Sequence, residues 1–541
     1  MTKKNKGPVV LCVLDGWGET METRGNAILK AKLPTIEKLN KFYPKTYLQA
    51  SGIAVGLPWG VVGNSEVGHQ AMGTGQIIYQ NLPVINTSIQ DGSFFENEAL
   101  LNCIKTAKKN KSKIHLFGLV SDGGVHSHIE HLFALLEMME KNDFKEVYVH
   151  VVTDGRDTSP QSAKIFLNDL LNKIETIGVG QIATVAGRYY SMDRSQNWDR
   201  LEKSYKAMVY GEGLKFQDPI EAIEAQYKKD LSDEFLEPAV IEKTEGQPVA
   251  TVDSGDVFLC FNFRKDRSKQ ITKAFAIDDF NEFKETEIVK GIKMVSFTEY
   301  QKGLNVDVLF PSQEITSRVG EEIEKAGLKQ LRIAETEKFA HVTYFFDGGL
   351  MIDYKNEERV HILSKKVDSY DKLPEMSAGE VTDKIIETLD GKNTPDFILV
   401  NYANPDMVGH TGNLEAGIKA VEFTDKCLSK VIKKVLSLNG TMIITADHGN
   451  VEEMVNLSTG ERDTEHSNNP VPCWLVQLSN NKNKEELGKK EVENNFEIGG
   501  FLSDLAPTIL DLLNIKKPQT MTGESLLPIF SGEIFIKKDE E

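Results

Sequence analysis

Short runs of β-branched and other apolar residues recur along the chain. Each is followed by a turn rich in Gly, Asp and Asn, then by a stretch whose apolar positions return every 3.6 residues. Brief apolar runs closed by turn formers predict buried strands, and the periodic stretches predict helices. Their alternation predicts an α/β fold with mostly parallel sheets. The predicted strands are PVVLCVLD (8–15), KIHLFGLV (113–120), EVYVHVV (146–152), QIATVA (181–186), DVFLCFNF (256–263), IKMVSF (292–297), HVTYFF (341–346), FILVNY (397–402), TMIITA (441–446) and PCWLVQL (472–478). No internal repeat accompanies them.

Open α/β sheets bind ligands beyond the carboxyl ends of their strands, so the residues after each run are where chemistry belongs. Two kinds of strand end are present. After the first strand and in the last third the turns carry carboxylates and histidines: Asp15, Asp406 with His410, and Asp447 with His448, while His466 precedes PCWLVQL. Between about residues 113 and 263 the turns carry His126 and His128, Arg156 with Asp157, Arg188 and Arg194, and Arg264 with Arg267. Only eleven arginines occur in the chain, and six of them, these five and Arg200, lie in the middle third. Arginine's planar fork binds phosphate and carboxylate bidentately, so the clustering marks an anion site, whereas the scattered lysines read as a solvated surface. The partition predicts one domain built from both ends of the chain, 1–78 and 312–541, interrupted by an inserted domain over 79–311.

Charge and composition narrow the partners. With 63 Lys and Arg against 81 Asp and Glu in 541 residues, the net charge is −18. That balance argues against nucleic acid or an anionic membrane as partner. It leaves open a small anion met by local positive charge. Cys12, Cys103, Cys260, Cys427 and Cys473 are odd in number, far apart and in no Cys-x-x-Cys spacing, which predicts reduced, buried thiols. The start of the chain has too short an apolar run for a signal peptide or membrane span, so a cytoplasmic protein is expected. The polar stretch 478–496 and the tail KKDEE read as solvated surface.

Asp406 and His410, four apart, face the same way on a helical turn. One Asp or His at a strand end is commonly just a turn former. Recurrence in four segments makes a metal set instead, and three carboxylates with three imidazoles suit two divalent ions such as Mn²⁺ or Zn²⁺ better than Ca²⁺ or a thiolate zinc site. Ser65, in GNSEVG, is expected at a helix N-terminus. Read alone it is a helix cap; beside metals it is a candidate nucleophile, because a serine hydroxyl needs a metal or base to ionise near neutral pH.

Ten motifs in order, VLDGWG, GNSEVGH, VSDGGVHSH, TDGRDT, GRYYSMDR, FNFRKDR, EKFAHVTYFFDGG, NPDMVGHTG, TADHGN and TEHSNNPVP, resemble those of the cofactor-independent phosphoglycerate mutases, from about residue 8 to about 525. More widely, the chain resembles the alkaline-phosphatase-like metalloenzymes. The resemblance implies two α/β domains, an alkaline-phosphatase-like metal-binding domain interrupted by an inserted substrate-binding domain. It implies one metal on Asp406, His410 and His466, and a second on Asp15, Ser65, Asp447 and His448. Two divalent ions are expected, Mn²⁺ first, with Zn²⁺, Co²⁺ or Mg²⁺ as alternatives, and no organic cofactor. Substrate contacts are implied for His126, Arg156, Asp157, Arg188, Arg194, Arg264, Arg267 and Lys338. Asp157 is the implied acid/base group, and His128, Arg200 and Glu337 are left as structural.

The implied reaction interconverts 3-phosphoglycerate and 2-phosphoglycerate through phospho-Ser65 without 2,3-bisphosphoglycerate, in a monomer that binds neither nucleic acid nor membrane. Water must be kept from phospho-Ser65, so domain closure belongs to that expectation. A phosphatase or phosphopentose mutase would share the Asp/His set but has no reason to carry the arginine motifs. A non-catalytic relative would have lost Ser65 or a ligand, and none is missing.

Overall fold

The computed structural model describes residues 7–284, 286–478 and 497–531. Nearly all of the polar stretch 478–496, and the whole KKDEE tail, lie outside the described residues. Two compact units are present, one formed by Met1–Tyr79 and Glu314–Glu541, the other by Gln80–Gln313. Among the described residues no helix is long and apolar enough to cross a membrane.

The first unit is built on an eight-stranded sheet. Its order is Glu357–Ile362, Gln330–Glu335, Phe397–Tyr402, Val9–Leu14, Thr441–Thr445, Val471–Val476, Lys45–Gln49 and Ile498–Phe501. The first five strands run parallel, and Val471–Val476 turns antiparallel to both neighbours. The strand Val9–Leu14 is apolar throughout and buried at every position, as a central parallel strand covered on both faces must be. Register pairs Val13 with Asn401 on one side and with Thr445 on the other. Asp15, Asp406 and Asp447 therefore emerge at the same edge of three adjacent strands.

The second unit has a nine-stranded sheet, in the order Asp307–Val308, Lys293–Ser296, Val257–Cys260, Ile114–Leu119, Val147–Thr153, Gln181–Gly187, Ala239–Thr244 and Leu214–Phe216, with Gln247–Pro248 paired to Ala239–Thr244. The first six are parallel. Their carboxyl ends deliver the segments that carry His126, Arg156 with Asp157, Arg188 and, past Cys260, Arg264 with Arg267.

One predicted strand is a helix. HVTYFF continues the helix Thr336–Ala340 into a π-helical turn, His341–Phe345. Its aromatic and β-branched residues have strand character, yet Val342 and Phe346, four apart, are the positions wholly buried, which is a helical spacing. The strand lies earlier, at Gln330–Glu335, where a fully buried Arg332 interrupts the apolar run. Arg332 is accommodated because its guanidinium donates to Gln330 and to the carbonyl of Val342 and pairs with Asp347 and Glu357. All five cysteines are free and buried, as expected.

Candidate active site

Ser65 opens the helix Ser65–Thr74, with Asn64 rather than Ser65 as the cap: the Asn64 side chain accepts the Val67 N–H at 3.1 Å. The serine hydroxyl is thereby left for other partners. It donates to Asp15 Oδ1 at 3.2 Å, lies 3.0 Å from His448 Nε2, and accepts from Lys338 Nζ at 2.7 Å. The helix packs so closely on the Asp447 turn that a Cβ on Gly68 would stand 2.8 Å from the Asp447 carbonyl oxygen. An interior glycine costs a helix about 1 kcal/mol relative to alanine; here it allows the approach that brings Ser65 to the strand ends.

Lys338 is buried among carboxylates, 2.6 Å from Asp15 Oδ1 and 2.6 Å from Asp406 Oδ2. Burial opposes its charge, but Asp15 and Asp406 outweigh it and push the ammonium pKa up, so the group stays cationic. Burial and the neighbouring Asp447 push Asp15 well above the usual carboxylate range, against the pull of Lys338. Asp406 is held well below that range: burial resists, and the Lys338 ammonium prevails.

The histidines converge with Asp406 and Asp447 at the same strand ends. His410 Nδ1 lies 2.7 Å from the Thr464 carbonyl, His466 Nδ1 2.7 Å from the Gly63 carbonyl, and His448 Nδ1 3.2 Å from the Gly449 carbonyl. A carbonyl only accepts, so each Nδ1 carries a hydrogen, and in the neutral form of each ring Nε2 is then a bare lone pair. The Nε2 atoms of His410 and His466 face each other at 3.1 Å, with Asp406 Oδ1 at 3.3 and 3.2 Å. Lone pairs converging in this way repel unless a cation lies among them, and Asp447 Oδ2 is buried with no well-formed hydrogen bond, His69 Nδ1 standing 3.3 Å away but donating to the Ser65 carbonyl. The residues fit divalent metal. By distance, Asp406, His448 and His466 form one group and Asp15, His69 and Asp447 another, so His448 falls with the first expected set, and His69 takes its place beside Asp15 and Asp447, although His448 Nε2 also lies 3.5 Å from Asp15 Oδ1 and 3.6 Å from Asp447 Oδ2.

His69 was not singled out in the sequence. Its Nδ1 donates to the Ser65 carbonyl at 2.8 Å, and its Nε2 accepts from Asn401 Nδ2 at 3.2 Å. With both ring nitrogens engaged it serves as a support for the site. Asn401 also donates to Asp15 Oδ2 at 2.6 Å. Asn450 donates to Asp406 Oδ1 at 2.9 Å.

In the second unit Arg188, almost fully buried, donates to Asp154 Oδ1 at 2.6 Å and Asp157 Oδ2 at 2.5 Å. Asp154, also missed in the sequence, further accepts the N–H groups of Arg156 and Asp157 and the Ser121 hydroxyl. Arg156, Arg194 and Arg267 line a pocket of ≈ 310 Å³ with Tyr189 and Arg200. Arg264 and Arg194 approach Asp266 at 3.1 and 3.7 Å. Their half-exposed guanidinium groups retain donors for a ligand. Burial, followed by repulsion from Arg188, Arg194 and Arg156, lowers the pKa of Arg267, the mark of a concentrated positive patch. Arg200 lies 4.0 Å over the Tyr189 ring and pairs with Asp193, His128 caps the helix Ile129–Lys141, and Glu337 accepts from the Tyr370 hydroxyl.

His126 lies 3.9 Å from Asp157 Oδ2 and 3.8 Å from Asp266 Oδ1. Burial, with Arg188 adding to it, pushes its imidazole down to about 4. Its ring signals in an NMR titration stay constant from about pH 8 to about pH 5 and move only near 4; a midpoint near 6.5 contradicts this environment. The unfolded chain binds this proton first, so the contribution of His126 to stability falls as pH drops from 6.5 toward 4.

A family profile described as Type I phosphodiesterase / nucleotide pyrophosphatase matches residues 293–486. Together with the strand-end carboxylates and imidazoles it defines the class, an alkaline-phosphatase-like metalloenzyme of two α/β units. A second profile, BPG-independent PGAM N-terminus, matches residues 85–302. The 2,3-bisphosphoglycerate-independent phosphoglycerate mutase of Clostridium botulinum is 48% identical over 524 residues, covering 97% of this chain and all of that one. That of Acetivibrio thermocellus is 49% identical over 520 residues, covering 96% and 99%. Among solved structures, Leishmania mexicana phosphoglycerate mutase, crystallised at low cobalt concentration, matches with a TM-score of 0.58 at 29% identity, covering 97% of this chain and 98% of that one. The chain belongs to the 2,3-bisphosphoglycerate-independent phosphoglycerate mutase family.

Proposed function

We propose that the protein interconverts 3-phosphoglycerate and 2-phosphoglycerate by passing the phosphoryl group through Ser65, without 2,3-bisphosphoglycerate. The setting of Ser65 carries this reading: its hydroxyl sits among Lys338 Nζ, His448 Nε2 and Asp15 Oδ1, one cation and two proton acceptors within 3.2 Å. Relatives named for this activity match across nearly the whole chain.

Asp406, His410 and His466 would hold one divalent ion, and Asp15, Asp447, His448 and Ser65 the other. Bound there, such ions favour ionised serine and disperse the charge of the transferring phosphoryl group. Mn²⁺ is our assignment, on the mixed carboxylate and imidazole donors. The Ser65 Oγ–P bond forms as the P–O bond to the substrate's 3-oxygen breaks. Lys338 holds Ser65 Oγ as an acceptor and favours the alkoxide. The reverse displacement, by the glycerate 2-hydroxyl, breaks Oγ–P and restores Ser65.

Arg156, Arg188, Arg194, Arg264 and Arg267, with neutral His126, bind the phosphoglycerate's anionic groups. Asp157, its Oδ2 held by Arg188, carries protons to and from the glycerate hydroxyls. A monomeric, cytoplasmic enzyme belongs to the same reading.

The test is a two-way assay between 3- and 2-phosphoglycerate on chelated enzyme, with metals restored singly and no bisphosphate present. Activity returning with metal alone supports the reading. A strict need for bisphosphate, or full activity without metal, overturns it.

A further inference from the structure

We propose that Glu452 is the positioning residue of the metal-bearing edge, a single buried carboxylate that ties together the three loops from which metal ligands project. The inference rests on the metal reading above. Glu452 is 1% exposed. Its Oε2 accepts the backbone N–H of Gly18 at 3.0 Å and of Asn450 at 2.9 Å. Its Oε1 accepts the Ser467 hydroxyl and, at 3.0 Å, the Asn469 side-chain amide. Gly18 lies in the loop after Asp15, Asn450 follows Asp447 and His448, and Ser467 follows His466. One carboxylate thus spends its four acceptor positions on the loops of four candidate ligands.

Two further observations converge on it. Neither Gly18 nor Gly449 lies in the left-handed region, so a positive φ is not what calls for glycine there. A Cβ on either would strike the Glu452 carboxyl. Both glycines belong to the motifs VLDGWG and TADHGN, and the space they leave is the space this side chain fills. The hold also reaches a fifth ligand. Asn450, fixed at its main chain by Glu452, donates its side-chain amide to Asp406 Oδ1 at 2.9 Å. Ser467 N donates to the Gly449 carbonyl at 3.0 Å, closing the His448 loop against the His466 loop.

Among the described residues Glu452 touches no candidate substrate group and has no cation among its hydrogen-bond partners. Its partners are neutral donors, and their purpose is geometry. Groups that orient metal ligands in this way typically govern metal affinity by about 10–100-fold.

Glu452→Gln keeps the shape but sets an amide N–H₂ against N–H or O–H donors. Mn²⁺ affinity is measured by isothermal titration of the full-length, metal-stripped protein, beside turnover at rising Mn²⁺. The expected result is about 10–100-fold weaker binding, with turnover returning to near the wild-type value at saturating metal. A folded Glu452→Gln protein with unchanged affinity overturns the inference, and so does weaker binding that excess metal does not rescue, since that marks a merely structural residue. Ser467→Ala removes one donor and covers the case in which the glutamine variant does not fold. A several-fold loss of affinity supports the inference, and wild-type affinity overturns it. If the wild-type protein itself binds no Mn²⁺, it is the metal reading that fails.

Discussion

Ser65→Ala lowers mutase turnover by about 10⁵-fold or more, the scale on which enzymes lose activity when a nucleophile is deleted. The reason is specific to its surroundings. Lys338, His448 and Asp15 are arranged around one oxygen atom, and with that atom gone no nucleophile is left among them to bond phosphorus. The fold should tolerate the change, because Asn64 caps the helix. The thermal midpoint therefore stays near that of the wild type, and metal still binds through the remaining donors. Steady-state turnover and a melting curve on the same preparation check both halves. Turnover within tenfold of wild type would remove Ser65 from the chemistry.

Lys338→Met produces the second large effect, on turnover and stability together. Loss of one preorganised cation beside the reacting oxygen costs about 10²–10³-fold in turnover. The ammonium also neutralises Asp15 and Asp406 from 2.6 Å each, inside a buried pocket that holds Asp447 as well. Removing one partner of a buried ion pair costs about 3–5 kcal/mol. The metal-stripped variant should therefore melt well below metal-stripped wild type. Added divalent metal should narrow the gap, because the cation replaces the lost charge. Equal melting points without metal would show that Lys338 carries no such electrostatic role.

The strand-end logic made much of this site readable in advance. Asp15, Asp406 and Asp447 each follow an apolar run, and those runs lie side by side in the sheet, so reading past each strand finds the carboxylates directly. Arginine's scarcity exposed the second cluster in the same way. What escaped has a physical character in common. Gln330–Glu335 was hidden because its buried Arg332 finds its partners through the fold, and the strand-like run HVTYFF after it is helical. Lys338 was accordingly placed by family resemblance and not by pattern. His69, Asn401, Asp154 and Glu452 each hold at least one residue far off in the sequence, as when Glu452 reaches Gly18. Periodicity and local spacing carry no trace of such contacts. The nearest signals were the glycines at 18 and 449, whose reason appears only once their neighbour is known.

The central claim is that phosphate passes through Ser65. Rapid quenching of metal-loaded enzyme mixed with radiolabelled 3-phosphoglycerate, followed by peptide mapping, tests it most directly. The account predicts acid-stable label on the peptide carrying Ser65, and none on the Ser65→Ala protein. Label on a histidine, or turnover with no labelled enzyme at any time, would contradict it.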